Sequence, residues 1–273
     1  MKIRHIARPG VAAIAAAIAA GCGAPEKSAS TIRVAASVTP HAEILESVKP
    51  ALAAQGYTLV VRTFEDYVQP NLVVESGEFD ANYMEHAPYL ESINAEKGLH
   101  LVSVAGVHYE PFGIYPGKKK NLSDLADGDA IAVPNDTTNE ARALLLLEAN
   151  GVLKLREGAG LTATKRDVES YTVKVELVEL EAAQIARVRG DVAFAVLNGN
   201  YALQAGLSVG RDAVAAETPD SAAARTSVNV LVVKDGRQED PALRALAAAL
   251  LSPETAEFIR GKYDGAVLPF SAK

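Results

Sequence analysis

Aromatic residues make up only 5% of this 273-residue chain, yet Phe64, Tyr67, Phe79, Tyr83 and Tyr89 fall close together. Asp80, Asn82, Met84, Glu85 and His86 interleave with them. Rings give dry contact area and a few polar atoms fix orientation, which is what a small-molecule pocket requires. The competing reading is a plain aromatic core. A second group centres on Arg142, in the first turns of a helix opened by Asn135-Asp136-Thr137-Thr138-Asn139. A cation there opposes the helix dipole. A ligand carboxylate would reverse that, taking a two-pronged bond from the guanidinium and N–H groups from the helix end. A surface arginine paired with Glu140 is the alternative. Asn198, Asn200 and Asn229 each flank a run of Val, Ala or Leu. Their amide carbonyls could stand at strand ends and accept from an ammonium group.

Two patterns point to catalysis, and both are incomplete. Gly206-Leu207-Ser208-Val209-Gly210 fits G-x-S-x-G, but that motif needs a strand before it and a later histidine. No histidine follows His108. His41-Ala42-Glu43 and His108-Tyr109-Glu110, with His86 and His100, offer metal-ligand types but no tight H-x-x-x-H pair, so no metal is expected. A P-loop is missing too, and no cofactor is expected. His86 beside Glu85 is the acid–base pair a lyase-type enzyme on this chain would need. The expectation is capture without chemistry.

The elements that must position these groups alternate strand and helix. Thr31–Ser37 predicts a strand, and Thr39-Pro40 starts a helix running to Gln55, bent at Pro50. Thr58–Arg62 reads as a strand, Pro70–Ser76 as a helix, Phe79–Tyr83 as extended, and His86–Lys97 as a helix stopped by Gly98. Leu99–Val104 and Val107–Tyr115 read as two strands. Ala130–Val133, Val173–Val178, Asp191–Leu197 and Val228–Val233 are further strands. Between them come helices over Thr138–Asn150, over Glu181–Arg189 and through Tyr201. Ser252-Pro253-Glu254 caps a C-terminal helix. This alternation predicts α/β layers with largely parallel sheets, whose ligands sit beyond the carboxyl ends of strands.

The first residues describe an export signal. Lys2, Arg4 and Arg8 precede an apolar run, Val11–Ala20, too short to span a bilayer. Ala19-Ala20-Gly21 then leads to Cys22, the only cysteine. That triplet resembles a bacterial lipobox, although Ala19 stands where Leu is usual. It predicts cleavage after residue 21 and acylation of Cys22, an anchor strong enough when more than one chain is attached. Residues 22–30 read as a flexible tether. The net charge of −7, with scattered basic residues, argues against nucleic acid as a partner. Lys118–Lys120, after Pro116-Gly117, is a solvated turn.

Taken in order, these motifs resemble the NlpA/MetQ family of lipoproteins, the substrate-binding subunits of methionine ABC importers. The likeness is carried by Asp66-Tyr67-Val68-x-Pro70-Asn71, by Asp80-Ala81-Asn82 with His86 and Pro88-Tyr89-Leu90, and by His108–Tyr115. It continues through Val133-Pro134-Asn135-Asp136-x-Thr138-Asn139 with Arg142, then Asn198 with Tyr201-Ala202, then Val228-Asn229. The resemblance implies a two-lobed periplasmic-binding-protein fold, type II-like, each lobe a mixed, mostly parallel sheet flanked by helices. Lobe I would take 31–112 with 220–273, and lobe II 113–219. An amino acid, methionine first, would lie between hinged lobes, with another small amino acid or a short peptide as alternatives. Arg142 would hold its carboxylate, Asn198 and Asn229 its ammonium, and Phe64, Tyr67, Met84, His86 and Tyr89 its side chain. Partners would be an ABC permease with its ATPase, and the membrane through the lipid on Cys22, at the periplasmic or outer face. The chain departs from the family at Met84-Glu85, where an aromatic residue and Gln are usual, and at Thr137, where Pro is. Glu85 is expected on the solvated face; turned inward it would add an anion favouring cationic ligands.

Overall fold

The computed structural model describes residues 30–218 and 221–270. The expected signal and Cys22 lie outside the described residues, as does the tether up to residue 29.

Thirteen strands and ten α-helices are laid out along the described chain. The strands are β1 (Thr31–Ser37), β2 (Thr58–Phe64), β3 (Ala81–His86), β4 (Leu101–Tyr109), β5 (Gly113–Pro116), β6 (Ala130–Pro134), β7 (Leu153–Leu155), β8 (Val168–Tyr171), β9 (Glu176–Leu180), β10 (Phe194–Leu197), β11 (Ala215–Ala216), β12 (Val228–Lys234) and β13 (Leu268–Pro269). The helices are α1 (Glu43–Ala53), α2 (Gln69–Glu75), α3 (Ala87–Lys97), α4 (Thr137–Ala149), α5 (Ala182–Val188), α6 (Gly199–Gln204), α7 (Val209–Asp212), α8 (Ala222–Thr226), α9 (Pro241–Leu250) and α10 (Pro253–Tyr263). One sheet has the order β13-β4-β12-β3-β1-β2 and a second β11-β5-β10-β6-β9, with β7-β8 a small third. The chain leaves the first sheet between Tyr109 and Gly113 and returns between Ala216 and Val228.

Period-two alternation explains why each large sheet is covered on both faces. In β1, Ile32, Val34 and Ala36 join the cluster holding Ile44, Leu45, Val48 and Leu52 of α1 and Leu243, Leu246 and Leu250 of α9. Ala35 points the other way, into a cluster with Val74, Phe79, Leu90 and Val232. In the second sheet Ile131 and Val133 meet Leu144 and Leu147 of α4. Ala132, between them, meets Ile185 of α5.

The α/β two-lobed architecture matches the sequence expectation, with a different balance of directions. The two large sheets contain four parallel and five antiparallel pairings. The excess comes from β12, which returns from the second sheet and runs back between β3 and β4, and from β5 with its partners. The helix expected from Thr39 starts later. Thr39 is extended, with φ −142° and ψ 142°, and Pro40–Ala42 form a separate turn before α1. Pro50 is accommodated in the last turn of α1. Leu101–Tyr109 is one strand rather than two, and β7 and β8 are short strands that the sequence pattern does not predict.

Candidate functional site

Where the lobes meet, a cavity is lined by Tyr67, Met84, Glu85, His86, Tyr89, Glu110, Asn139, Arg142, Asn198, Gly199, Asn200 and Asn229. Of the residues expected to hold a ligand, all but Phe64 are here. The Phe64 ring packs edge-on against Phe79, 5.9 Å between centroids, in the first lobe's core. As the last residue of β2 it packs onto the Phe79 cluster rather than the cavity, which spacing alone did not reveal.

Arg142 is 5% exposed and does not pair with Glu140. Its Nε donates to Glu217 Oε1 (3.0 Å) and Nη2 to Glu217 Oε2 (2.6 Å), with a further bond from Nη2 to the Glu110 carbonyl (3.2 Å). The guanidinium carbon lies 4.4 Å from the centre of the Phe112 ring. Glu217 also accepts from Tyr109 Oη (2.7 Å) and the Phe112 N–H (3.0 Å). Burial works against its charge, but Arg142 and those donors outweigh it and hold its carboxyl below the ordinary value. The fork expected to meet a ligand is therefore held by a protein carboxylate. Nη1 alone makes no hydrogen bond among the described residues. Sequence reasoning missed Glu217; its one available signal was a carboxylate beside the expected return crossing.

His86 caps α3, and its Nδ1 accepts from the Tyr89 N–H (3.2 Å). A backbone N–H can only donate, so Nε2 carries the ring proton and gives it to Asn139 Oδ1 (3.1 Å). Asn139 Oδ1 also accepts from Asn198 Nδ2 (3.0 Å), while its own amide donates to Asp136, the N-cap of α4. Burial, then the nearby Arg142 charge, pushes the His86 pKa down to about 4, so the ring is neutral at physiological pH. Both nitrogens are engaged, and His86 and Glu85 share no hydrogen bond. The acid–base pair considered from the sequence does not form.

The asparagines divide by role. Asn198 Oδ1 is buried without a partner at the cavity wall. Asn229 Oδ1 accepts from His41 Nε2 (2.9 Å), which leaves its Nδ2 donors for the cavity. Asn229 is therefore a donor where the sequence reading made it an acceptor. Asn200 Oδ1 takes the Tyr67 hydroxyl at 2.6 Å, tying the lobes together beside the tilted ring pair Tyr67 and Tyr201, whose centres are 5.1 Å apart. Glu110 supplies a carboxylate at the crossover; burial raises its pKa, and His41 and Arg142 oppose the rise. Gly199 must be glycine, because a Cβ there would lie 2.7 Å from Glu110 Cβ.

Behind the wall, His41, His108 and Glu110 come within 4.8 Å of one another. His108 Nε2 donates to Glu110 Oε1 (2.7 Å), and its Nδ1 takes the Tyr83 hydroxyl. With the His41 N–H directed at Asn229, the facing nitrogens carry protons rather than open lone pairs, and the cluster is a hydrogen-bond network. His100 lies elsewhere, exposed beside Glu75.

Glu85 is buried at the cavity wall, which corrects the expectation of a solvated side chain. The cause is a β-bulge. Leu231 faces Tyr83 while Val230 faces Glu85, so Met84 is an extra residue in β3. The bulge places Glu85 on the side of Asn82, and both bond to Asn71: Asn71 Nδ2 donates to Glu85 Oε2 (3.2 Å), and Asn82 Nδ2 to Asn71 Oδ1 (2.7 Å). Burial raises the Glu85 pKa to about 8 against the weaker pull of the two asparagines. It is a neutral acid at neutral pH, not the anion considered from the sequence.

Comparison with known proteins places these features in a family. Residues 32–271 match the model of the NlpA lipoprotein family. The methionine-binding lipoprotein MetQ of Bacillus subtilis (strain 168) is 37% identical over 94% of this chain and 95% of its own. The crystal structure of a candidate lipoprotein from Ruminococcus gnavus ATCC 29149 is 62% identical, covers 89% of this chain and 100% of its own, and superposes with a TM-score of 0.87. A nutrient-binding protein from Burkholderia cenocepacia, bound to methionine, is 39% identical over 88% of this chain and 100% of its own, with a TM-score of 0.83.

Proposed function

We propose that this chain, which belongs to the NlpA lipoprotein family, captures a small zwitterionic amino acid, methionine first, and delivers it to an ABC permease and its ATPase. The observation that carries this reading is the polarity of the cavity. One end gathers Arg142 Nη1 and Asn229 Nδ2 as donors, with Asn198 Oδ1 and the Glu110 carboxylate as acceptors. The other end is walled by Tyr67, Met84 and Tyr89. A carboxylate and an ammonium on one carbon fit the first, and an unbranched apolar side chain fits the second. Because Glu217 neutralises Arg142, a ligand with no net charge leaves the buried balance undisturbed. One relative named as methionine-binding and a neighbour solved bound to methionine support methionine as the first choice.

In this reading residues 31–112 with 220–273 form one lobe and 113–219 the other. Ligand favours their closure by binding the closed pair more tightly than the open one, and no bond is made or broken. Acylated Cys22 holds the protein at the membrane. Calorimetry with L-methionine tests the capture role: we expect saturable one-site binding, and no binding of any amino acid would defeat it. Mass spectrometry of co-purified ligand separates methionine from another amino acid or a short peptide. A Cys22→Ser variant recovered in the soluble exported fraction supports the anchor, and its retention in membranes would exclude it.

A further inference from the structure

Within the cavity, one polar atom is unexplained by the capture of a zwitterion. Glu85 lines the cavity with Tyr67, Met84 and Tyr89 and shares no hydrogen bond with the Arg142–Glu217 pair. Its Oε2 is turned to Asn71 Nδ2 and is thereby an acceptor. Its Oε1 is buried with no hydrogen-bond partner. No basic side chain lies within ion-pair distance of the carboxyl among the described residues, and a buried carboxylate without a cation is far costlier than a neutral acid. In the neutral acid the oxygen that accepts from Asn71 is the carbonyl, so Oε1 is the hydroxyl and carries the proton. Among the described residues the acceptor open to that O–H is Asn82 Oδ1, itself buried without a partner and in a cluster where Asn82 acts on the Glu85 carboxyl, so a ligand acceptor at the cavity wall competes with one amide oxygen for the proton.

We propose that Glu85 is a specificity-determining residue whose Oε1 hydroxyl donates to an acceptor atom at the end of the ligand's side chain. This rests on the capture of an amino acid proposed above and deepens it by naming the side-chain class: unbranched, with an acceptor at its tip, of which a sulfoxide or amide oxygen is the strong form and a thioether sulfur the weak one. A purely hydrocarbon tip of the same length leaves the O–H to Asn82 Oδ1. The discrimination resembles that of any site built around a buried polar group, which rejects the isostere that cannot pair with it.

The test is calorimetric titration of the full-length mature protein at pH 6.5 with methionine, methionine sulfoxide, glutamine and norleucine. Wild type is expected to bind methionine sulfoxide at least tenfold more tightly than norleucine, with methionine between them. Glu85→Leu is expected to erase or invert that order. Glu85→Gln, whose amide can still donate, is expected to keep it. Equal affinities for norleucine and the sulfoxide in wild type overturn the proposal and leave the hydroxyl to Asn82 Oδ1, the other unpartnered buried atom of that cluster. That result still shows binding, so the capture role survives it. Failure of every amino acid to bind defeats the capture role and this inference together. The wild-type ranking needs no variant, so a poorly folding Glu85→Leu does not blunt the experiment.

Discussion

At the Arg142 end of the cavity protein partners fix the ion pair and the His86–Asn139 link and leave Arg142 Nη1, Asn229 Nδ2 and Asn198 Oδ1 for the ligand's common zwitterion, whereas at the Met84 end a carboxyl oxygen of Glu85 is left over. The first end is an ion pair fixed by four donors to Glu217, and its ring and amides are locked in one tautomer and one orientation. Such a frame is pre-organised for a group common to all amino acids. The second end is soft: a methionine in a β-bulge, two tyrosines and a neutral acid. Methionine adapts to shape more readily than a ring. The difference teaches that a binding site can separate what it holds in every ligand from what it chooses among ligands.

The largest effect is expected at the rigid end. Arg142→Ala removes the buried partner of Glu217 and the Nη1 donor together. Affinity for methionine is expected to fall at least a hundredfold by calorimetry. Breaking a buried pair from one side also costs about 3–5 kcal/mol, visible in urea unfolding of the unliganded protein. Unchanged stability would mean that Glu217 finds water and that this end is softer than its contacts indicate.

The soft end is expected to reveal itself through pH. The folded Glu85 pKa is about 8 against an ordinary 4.5. Between those values the unfolded chain has released the proton and the folded one retains it. Stability contributed at this site therefore falls as pH rises from 4.5 to 8, and is flat above. Glu85→Gln removes the slope. The variant is expected to be more stable than wild type by roughly 2–4 kcal/mol at pH 8 and little different at pH 4.5, read from denaturant melts at both. Parallel pH profiles would show Glu85 to be solvated.

A smaller effect is expected where the ends join. Gly199→Ala puts a Cβ against Glu110, 2.7 Å from its Cβ and 2.8 Å from Oε2. Glu110 belongs to the crossover and Gly199 opens α6 in the second lobe, so the clash resists closure rather than folding. Affinity is expected to drop about tenfold with unfolding shifted by less than 1 kcal/mol. Small-angle scattering with saturating methionine checks the cause, since an open average shape is expected to persist.

How much of this was legible in the sequence follows from the range over which each feature is determined. Helix α4 could be read because Asp136 caps it locally and Leu144 and Leu147 repeat at helical spacing. Tyr67, Met84, His86 and Tyr89 could be grouped because they lie close in sequence, Tyr67 just before α2 and the others on β3 and the start of α3. The Arg142–Glu217 pair could not, since its partners are 75 residues apart, one on α4 and one just past β11, and meet only once the second sheet has assembled. The inward turn of Glu85 also escaped, because strict alternation would have placed it with Tyr83; one extra residue in β3 reverses that, and a bulge is set by the pairing strand β12 rather than by β3 itself.

Phe64 makes the smallest prediction and the sharpest control. Its place in the run of aromatics suggested a cavity wall, while its ring lies against Phe79 in the first lobe's core, with Arg62 5.4 Å above it. If the soft end is truly confined to Tyr67, Met84, Glu85 and Tyr89, then Phe64→Leu must separate packing from binding. Loss of the edge-on ring contact is expected to cost about 1 kcal/mol of stability. Affinities for methionine and for norleucine are expected to change less than twofold, and by the same factor. A change in their ratio would mean that the specificity end reaches through Phe79 into the core, and the division between a fixed end and a choosing end would have to be redrawn one layer deeper.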